Sequence, residues 1–195
     1  IASTYNGLPV TGISSCAFRN CSGLTSVTIG AGVTTIGSDA FYGCYKLVEI
    51  YNNSSLNIVT GSSSYGCIGY YAKNIYTPTS GESKLSNDNG YIIYTDGNEK
   101  ILVEYSGTET DLILPSCVTK IYQYAFEDCS SLTSMTLPFV GSIANGTRNT
   151  HFGYIFGTNS YSDNGSYVPS SLKTVVITSG SSIGSYAFYG CSSLT

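Results

Sequence analysis

Apolar residues recur along this chain with a fixed period. Ile13, Ala17, Phe18, Cys21 and Leu24 are followed, each 23 residues later, by Ile36, Ala40, Phe41, Cys44 and Leu47. The same order of residues returns over 121–132 and again over 183–194. Self-similarity at a fixed period of this length is typical of proteins built from stacked structural repeats. The sequence therefore predicts a repeat architecture.

Each repeat contains the pattern of one strand and one tight turn. Positions 26–29 and 134–137 alternate polar and apolar residues, which is the period of a half-buried strand. The Ile, Ala-Phe and Cys positions between strands are too few for a long helix and predict a short 3-10 or α turn. One such coil cannot bury both its faces, so neighbouring coils must stack. We predict an α/β solenoid, mostly β, made of short parallel strands and short 3-10 or α turns.

The final coil reads Ile-Gly-Ser-Tyr-Ala-Phe-Tyr-Gly-Cys-Ser-Ser-Leu-Thr at 183–195. This segment and its counterparts resemble the leucine-rich repeats of the BspA type, in register over about 8–51, 110–143 and 172–195. The resemblance implies a bacterial cell-surface or secreted, extracellular protein, with relatives in mucosal parasites. It also implies attachment to host matrix proteins, to host cells or to other bacteria.

Two stretches depart from the repeat. Degenerate coils fill about 52–110, where β-rich runs at 91–94 and 100–105 flank Asp96-Gly97 and predict a β-hairpin insertion. A loop insertion occupies about 144–171, with Phe152, Tyr154 and Phe156 expected to pack inward and Tyr161 and Tyr167 expected to reach solvent. We expect one solenoid domain over 1–195 that is a fragment of a longer array.

The composition argues against a nucleic-acid partner and against membrane insertion. Only 10% of residues are charged and the net charge is -4, with the eight Lys and Arg scattered singly. A nucleic-acid partner is therefore not expected, because it requires a run of basic residues. No apolar stretch reaches the roughly 18 residues that a membrane helix needs, so we expect no membrane insertion of this segment.

Candidate catalytic motifs are weak. Positions 180–184 match the nucleophile pattern G-x-S-x-G with Ser182 at its centre, but no histidine follows it to act as base. His151 is the only histidine in the sequence. The acidic residues lie mainly on the predicted hairpin, a pattern typical of a solvent-exposed surface. We predict no catalytic, metal-binding or cofactor-binding residue, and a hydrolase is a distant alternative.

Seven cysteines are present, and four of them share one repeat position: Cys21, Cys44, Cys129 and Cys191. We predict that these four are small buried residues, and that all seven are thiols without disulfides. Side chains stacked in parallel do not point at each other as a bridge requires. Cys117, which follows Pro115, is expected to be the most exposed.

The outward positions of the strands form the predicted ligand face. If Val27 and Ile29 point inward, strand pairing lines the outward residues up in columns. The candidates are Ser26, Thr28, Glu49, Tyr51, Ser134, Thr136 and Thr174, with Val176 beside them, and Tyr161 and Tyr167 as loop contacts. We predict a non-enzymatic surface domain that binds host or bacterial surface proteins or glycans. Exposed Thr and Ser also suit a strand with no ligand, so a structural spacer that presents another module is the alternative.

Overall fold

Short parallel strands define the architecture in a computed structural model that describes residues 1–78, 81–179 and 182–195. The chain forms two compact units, Ile1–Ser83 and Lys84–Thr195. Each unit is a mostly-β stack of coils, which confirms the predicted solenoid class. The prediction of one continuous domain over 1–195 stays a prediction.

Over residues 1–78 and 81–83, the first unit has seven strands in three small sheets. The strands are β1 (Thr4–Tyr5), β2 (Leu8–Pro9), β3 (Gly12–Ile13), β4 (Ser26–Ile29), β5 (Thr35–Ile36), β6 (Glu49–Asn52) and β7 (Asn74–Tyr76). Strand β4 pairs in parallel with β6, and β6 pairs in parallel with β7, so that Ser26, Glu49 and Asn74 stand side by side. Strands β3 and β5 form a second parallel pair, and β1 and β2 pair antiparallel. The two parallel sheets therefore lie on two different sides of the same stacked coils.

Seven further strands lie in the described part of the second unit, residues 84–179 and 182–195. They are β8 (Leu85–Asp88), β9 (Tyr91–Asp96), β10 (Glu99–Tyr105), β11 (Asp111–Ile113), β12 (Lys120–Ile121), β13 (Ser134–Leu137) and β14 (Thr174–Ile177). Strands β11, β13 and β14 form a parallel sheet. Strands β12, β10, β9 and β8 form a mixed one, in which β10 pairs in parallel with β12. The coils of the second unit, like those of the first unit, therefore contribute strands to two different sheets.

The predicted hairpin is confirmed. Strands β9 and β10 pair antiparallel around Gly97 and Asn98, where Gly97 adopts a φ of +56°. Because β10 also pairs with β12, the hairpin lies within the stack. A second hairpin joins β8 to β9 through Asn89 and Gly90, both with positive φ. Asn-Gly favours this turn, which was not among the predicted elements.

Adjacent coils are joined by backbone hydrogen bonds at the Ala-Phe turns. The amide of Phe18 donates to the carbonyl of Ala40 at 2.8 Å, and that of Phe126 donates to Ile155 at 3.0 Å. The residue before each repeat Ala adopts the left-handed conformation, with φ from +56° to +65°. These residues are Cys16, Asp39, Tyr124 and Tyr186. The turn therefore depends on a backbone conformation that costs energy for any residue with a Cβ.

Each unit has its own apolar core. In the first unit the repeat positions bury residues such as Ile29, Phe41 and Leu47. In the second unit aromatic rings pack successively along the stack, with centroid separations from 4.9 to 6.0 Å. These rings belong to Tyr91, Tyr105, Phe126, Phe156, Phe152 and Phe188. Phe152 and Phe156 are buried as predicted, and Tyr154 is half-buried.

The insertion folds into short helical turns rather than an open loop. Two 3-10 segments, Phe152–Phe156 and Tyr161–Asp163, precede the one-turn helix α1 (Asn164–Tyr167). The fully buried Asn164 side chain accepts from the Gly153 amide at 3.0 Å and donates to the Ala187 carbonyl at 3.1 Å. This side chain connects the insertion to the last coil. Tyr161 and Tyr167 are exposed, as predicted.

Candidate binding surfaces

The outer face of the sheet β11-β13-β14 presents two columns of side chains. Parallel pairing places Asp111, Ser134 and Thr174 in one column and Ile113, Thr136 and Val176 in the other. Asp111 and Thr174 are exposed, whereas Ser134 and Thr136, on the central strand, are half-buried. Ile113 is 70% exposed and Val176 is 47% exposed. We call these six residues the strand face.

Hydrogen bonds hold the polar column of the strand face in place. The Asp111 carboxylate accepts from the hydroxyls of Ser134 at 2.8 Å and Thr133 at 2.9 Å. These two hydroxyls, that of Ser134 first, lower the pKa of Asp111 below its ordinary value. The carboxylate is therefore an ordered acceptor on an otherwise uncharged face.

The corresponding face of the first unit is only partly available. Ser26 and Thr28 are exposed and Tyr51 is half-buried. Glu49 was expected to face solvent, and that expectation is wrong, because its side chain is fully buried. Its position on the outer side of β6 is as predicted, but other side chains cover it there.

Hydroxyl groups of three described residues donate to the buried Glu49 carboxylate. Ser83 donates to it at 2.7 Å, Tyr51 at 3.0 Å and Tyr76 at 3.1 Å. The Tyr51 and Tyr76 rings stack with centroids 5.0 Å apart. Burial raises the pKa of both phenols, that of Tyr76 to about 12, and the neighbouring carboxylate adds to the effect. Glu49 is thus a structural acceptor and not a surface contact.

A cluster of three exposed tyrosines lies in the second unit. Tyr161, in the insertion, stacks on Tyr186 with ring centroids 4.8 Å apart and an interplanar angle of 18°. Tyr189 lies nearly perpendicular to both rings, at 5.8 Å from Tyr161 and 6.1 Å from Tyr186. The exposed fraction is 45% for Tyr161, 62% for Tyr186 and 54% for Tyr189. We call these three residues the tyrosine cluster.

Of the tyrosine cluster, only Tyr161 was predicted from the sequence as a contact residue. Tyr186 and Tyr189 flank Ala187 and Phe188, where the repeat pattern accounts for them without indicating a site. Tyrosines on both sides of the Ala-Phe pair were the available signal. Tyr167, predicted as a loop contact, is exposed at 48% but lies outside these ring contacts.

The candidate catalytic residues Ser182 and His151 both lie within hydrogen-bonding distance of other parts of the chain. Ser182 donates its hydroxyl to the Asn145 amide oxygen at 3.1 Å, while Gly180 and Ser181 of the same motif lie outside the described residues. His151 is buried, with Nε2 3.2 Å from the Thr158 carbonyl oxygen. Within 1–78, 81–179 and 182–195, no group of three or more His, Cys, Asp and Glu side chains is placed to hold a metal. Across those same ranges, no helix is both long and apolar enough to span a bilayer.

The seven cysteines are thiols without disulfides. Cys44 and Cys129 are buried, Cys191 is half-buried, and Cys117 is exposed. The expectation that Cys21 is buried is wrong, since its side chain is exposed although Cys44, at the same repeat position of the next coil, is buried. Burial raises the pKa of the Cys44 thiol to about 11.

Stacked coils with short parallel strands, four of them turning at an Ala-Phe pair, define a leucine-rich-repeat solenoid. The model of the BspA type leucine rich repeat region matches residues 6–86 and 104–195 in six copies. The chain belongs to this family. No curated protein matches it.

Three solved structures share similarity with the chain. A leucine rich cell surface protein from Faecalibacterium prausnitzii is 18% identical, with a TM-score of 0.41 over 87% of this chain and 46% of that one. A leucine-rich repeat protein from Eubacterium ventriosum is 19% identical, with a TM-score of 0.40 over 98% and 63%. The T. pallidum Leucine Rich Repeat protein is 22% identical, with a TM-score of 0.31 over 100% and 76%. The chain thus spans less than half of the first of these proteins.

Proposed function

We propose that this chain is a non-catalytic repeat domain at a bacterial cell surface, and that its strand face binds an extracellular protein. The surface location is what the family resemblance implies. The observation that supports binding is the column of Ile113, Thr136 and Val176, which presents two well-exposed apolar side chains in fixed register.

A protein partner suits the chemistry of this face. Parallel pairing on both sides of β13 holds the column rigid, so little conformational entropy is lost on binding. Exposed apolar side chains rimmed by hydroxyl groups have the character of an interface core with a polar rim. Asp111 adds one oriented acceptor, which gives a partner's donor a specific contact.

The experiment is surface plasmon resonance of the purified chain against a panel of extracellular matrix proteins. In the test variant, Ile113→Glu and Val176→Glu place charges in the apolar column. The matched control is Thr4→Glu, Thr35→Glu, which adds the same two charges at exposed strand positions of the first unit outside the predicted ligand face. Far-UV circular dichroism and thermal melts establish that each variant is folded.

We expect saturable binding to one panel member that weakens about 100-fold or more in the test variant, as for a residue pair at an interface centre. The control is expected to bind like the unmodified chain. Absence of saturable binding, or equal binding by both variants, contradicts the proposal and supports the spacer alternative. Binding to glycans alone contradicts a protein partner for this face.

A further inference from the structure

We propose that the tyrosine cluster is a second binding site, a stacking platform for an uncharged glycan. Different residues form it from those of the strand face, and it comes from an independent observation. Tyr161 is brought by the insertion, whereas Tyr186 and Tyr189 belong to the last coil. The insertion therefore completes a surface that the repeat alone does not supply.

The geometry leaves ring surface open for a ligand. Tyr161 covers one face of Tyr186 in a nearly parallel stack, yet Tyr186 remains 62% exposed. With one ring face against Tyr161, this exposure leaves much of the remaining Tyr186 side chain accessible to a ligand. Tyr189 is almost equidistant from the two stacked rings, so it lies beside the stack and not over its outer faces. The cluster is thus an open platform with a perpendicular side wall.

The backbone of Tyr186 adopts an energetically unfavourable conformation, and burial of the side chain does not compensate for it. Its φ is +60°, in the left-handed region where a bulky side chain is an outlier. The repeat turn imposes this conformation, as it does before Ala17, Ala40 and Ala125. Tyr124 occupies the same repeat position with a φ of +65° but is half-buried. Tyr186 is the one that holds its ring in solvent.

The chemistry around the cluster favours an uncharged ligand. Residues 184–195 and 152–162 include no charged side chain, and the adjacent Asp163 accepts from the Ser162 hydroxyl at 3.1 Å. An anionic glycan would find no cation in these two segments. The aromatic face is electron-rich and attracts the weakly positive C–H groups of a pyranose ring. The phenol hydroxyls can exchange hydrogen bonds with the hydroxyls of the sugar.

A proline-rich peptide fits this surface less well. Such peptides dock in grooves between aromatic side chains. Tyr161 and Tyr186 contact each other at 4.8 Å, which closes the slot between them. A flat ligand that lies on one outer ring face matches the geometry, and a pyranose presents such a face.

The test measures binding of the full chain to laminarin, galactomannan and dextran by affinity gel electrophoresis and isothermal titration calorimetry. Hyaluronate serves as the anionic probe and poly-L-proline as the peptide probe. The variants are Tyr161→Ala, Tyr189→Ala and Tyr186→Gly, the last of which keeps a residue suited to positive φ. Tyr167→Ala is the matched control, since it removes an equally exposed tyrosine of the insertion from outside the cluster.

We expect one neutral polysaccharide to bind, and each cluster variant to bind it about tenfold more weakly, as for one aromatic contact. Tyr167→Ala is expected to bind like the unmodified chain, and so is the strand-face variant Ile113→Glu, Val176→Glu. The second comparison separates failure of this proposal from failure of the protein-binding one.

Three results would overturn the platform. They are binding of no neutral polysaccharide, binding that the cluster variants leave unchanged, and binding of hyaluronate or poly-L-proline only. Loss of glycan binding in the strand-face variant with retention in the cluster variants would assign the glycan to the strand face. Thermal melts of every variant show whether a loss reflects unfolding, and Tyr186→Gly provides a cluster variant without left-handed strain.

Discussion

Asn164 is the side chain whose removal tests how the insertion is held to the last coil. It is fully buried and makes two hydrogen bonds, from the Gly153 amide and to the Ala187 carbonyl. In Asn164→Ala the Gly153 amide loses its acceptor within a buried segment, which costs about 1–3 kcal/mol. The Ala187 carbonyl keeps its bond from the Phe152 amide at 2.8 Å, so its loss is about 0.5–1.5 kcal/mol. The expected destabilisation is about 2–4 kcal/mol.

Asn164→Asp separates the two bonds. The aspartate keeps the acceptor for Gly153, but it places an oxygen where the donor to the Ala187 carbonyl stood. Burial and this carbonyl favour the protonated acid, so its folded-state pKa rises above the unfolded value of about 3.9. Stability from the protonated acid is fully present below that value and is lost as pH rises through the folded pKa. The variant is therefore expected to approach the parent at pH 4 and to fall well below it at pH 7.

Urea unfolding followed by far-UV circular dichroism measures both effects, and hydrogen exchange of the Gly153 amide reports the local one. Asn159→Ala is the matched control, because Asn159 is exposed and accepts one bond from Gln123. It should change the free energy of unfolding by less than about 1 kcal/mol. A destabilisation by Asn164→Ala no greater than that of the control would refute the reasoning. So would an Asn164→Asp variant whose stability follows the pH dependence of the parent.

Two further predictions concern titratable groups. At pH 8, iodoacetamide should label Cys117 much faster than Cys44, whose burial raises its pKa to about 11, and mass spectrometry of the labelled peptides measures both rates. Equal rates would contradict a buried Cys44. Ser134→Ala should raise the pKa of Asp111 in an NMR titration, whereas Thr28→Ala leaves it unchanged. Because the folded pKa of Asp111 is lowered, its stabilising contribution is present above the unfolded pKa and is lost as pH falls through the folded one.

The coil architecture was predictable because its signal is local and repeated. Inward residues such as Val27 and Ile29 alternate with outward ones, and the period aligns each coil with the next. The hairpin at Gly97 followed from turn chemistry alone. Burial of Glu49 was not predictable in this way, since Ser83, which covers it, lies 34 residues further along the chain. Strand alternation assigns a side of the sheet but not what lies above that side.

The repeat pattern that predicted the fold did not predict the tyrosine cluster. Tyr186 and Tyr189 occupy repeat positions, so the period accounts for them without a function. Their contact with Tyr161 depends on how the insertion folds, through the buried Asn164 and the 3-10 segment Tyr161–Asp163. Nothing in a tyrosine's identity indicates a left-handed backbone either, because asparagine and glycine are the residues that favour it.

The left-handed residue before each repeat Ala has a consequence for how such coils change over generations. At these sites glycine or asparagine is the less costly choice, so random substitution moves the sequence toward them and away from large side chains. Binding at the tyrosine cluster, as proposed above, supplies a reason for selection to keep a tyrosine at position 186. Sequences of close relatives from many strains should keep an aromatic residue there where the ligand is in use, and should drift to glycine or asparagine where it is not.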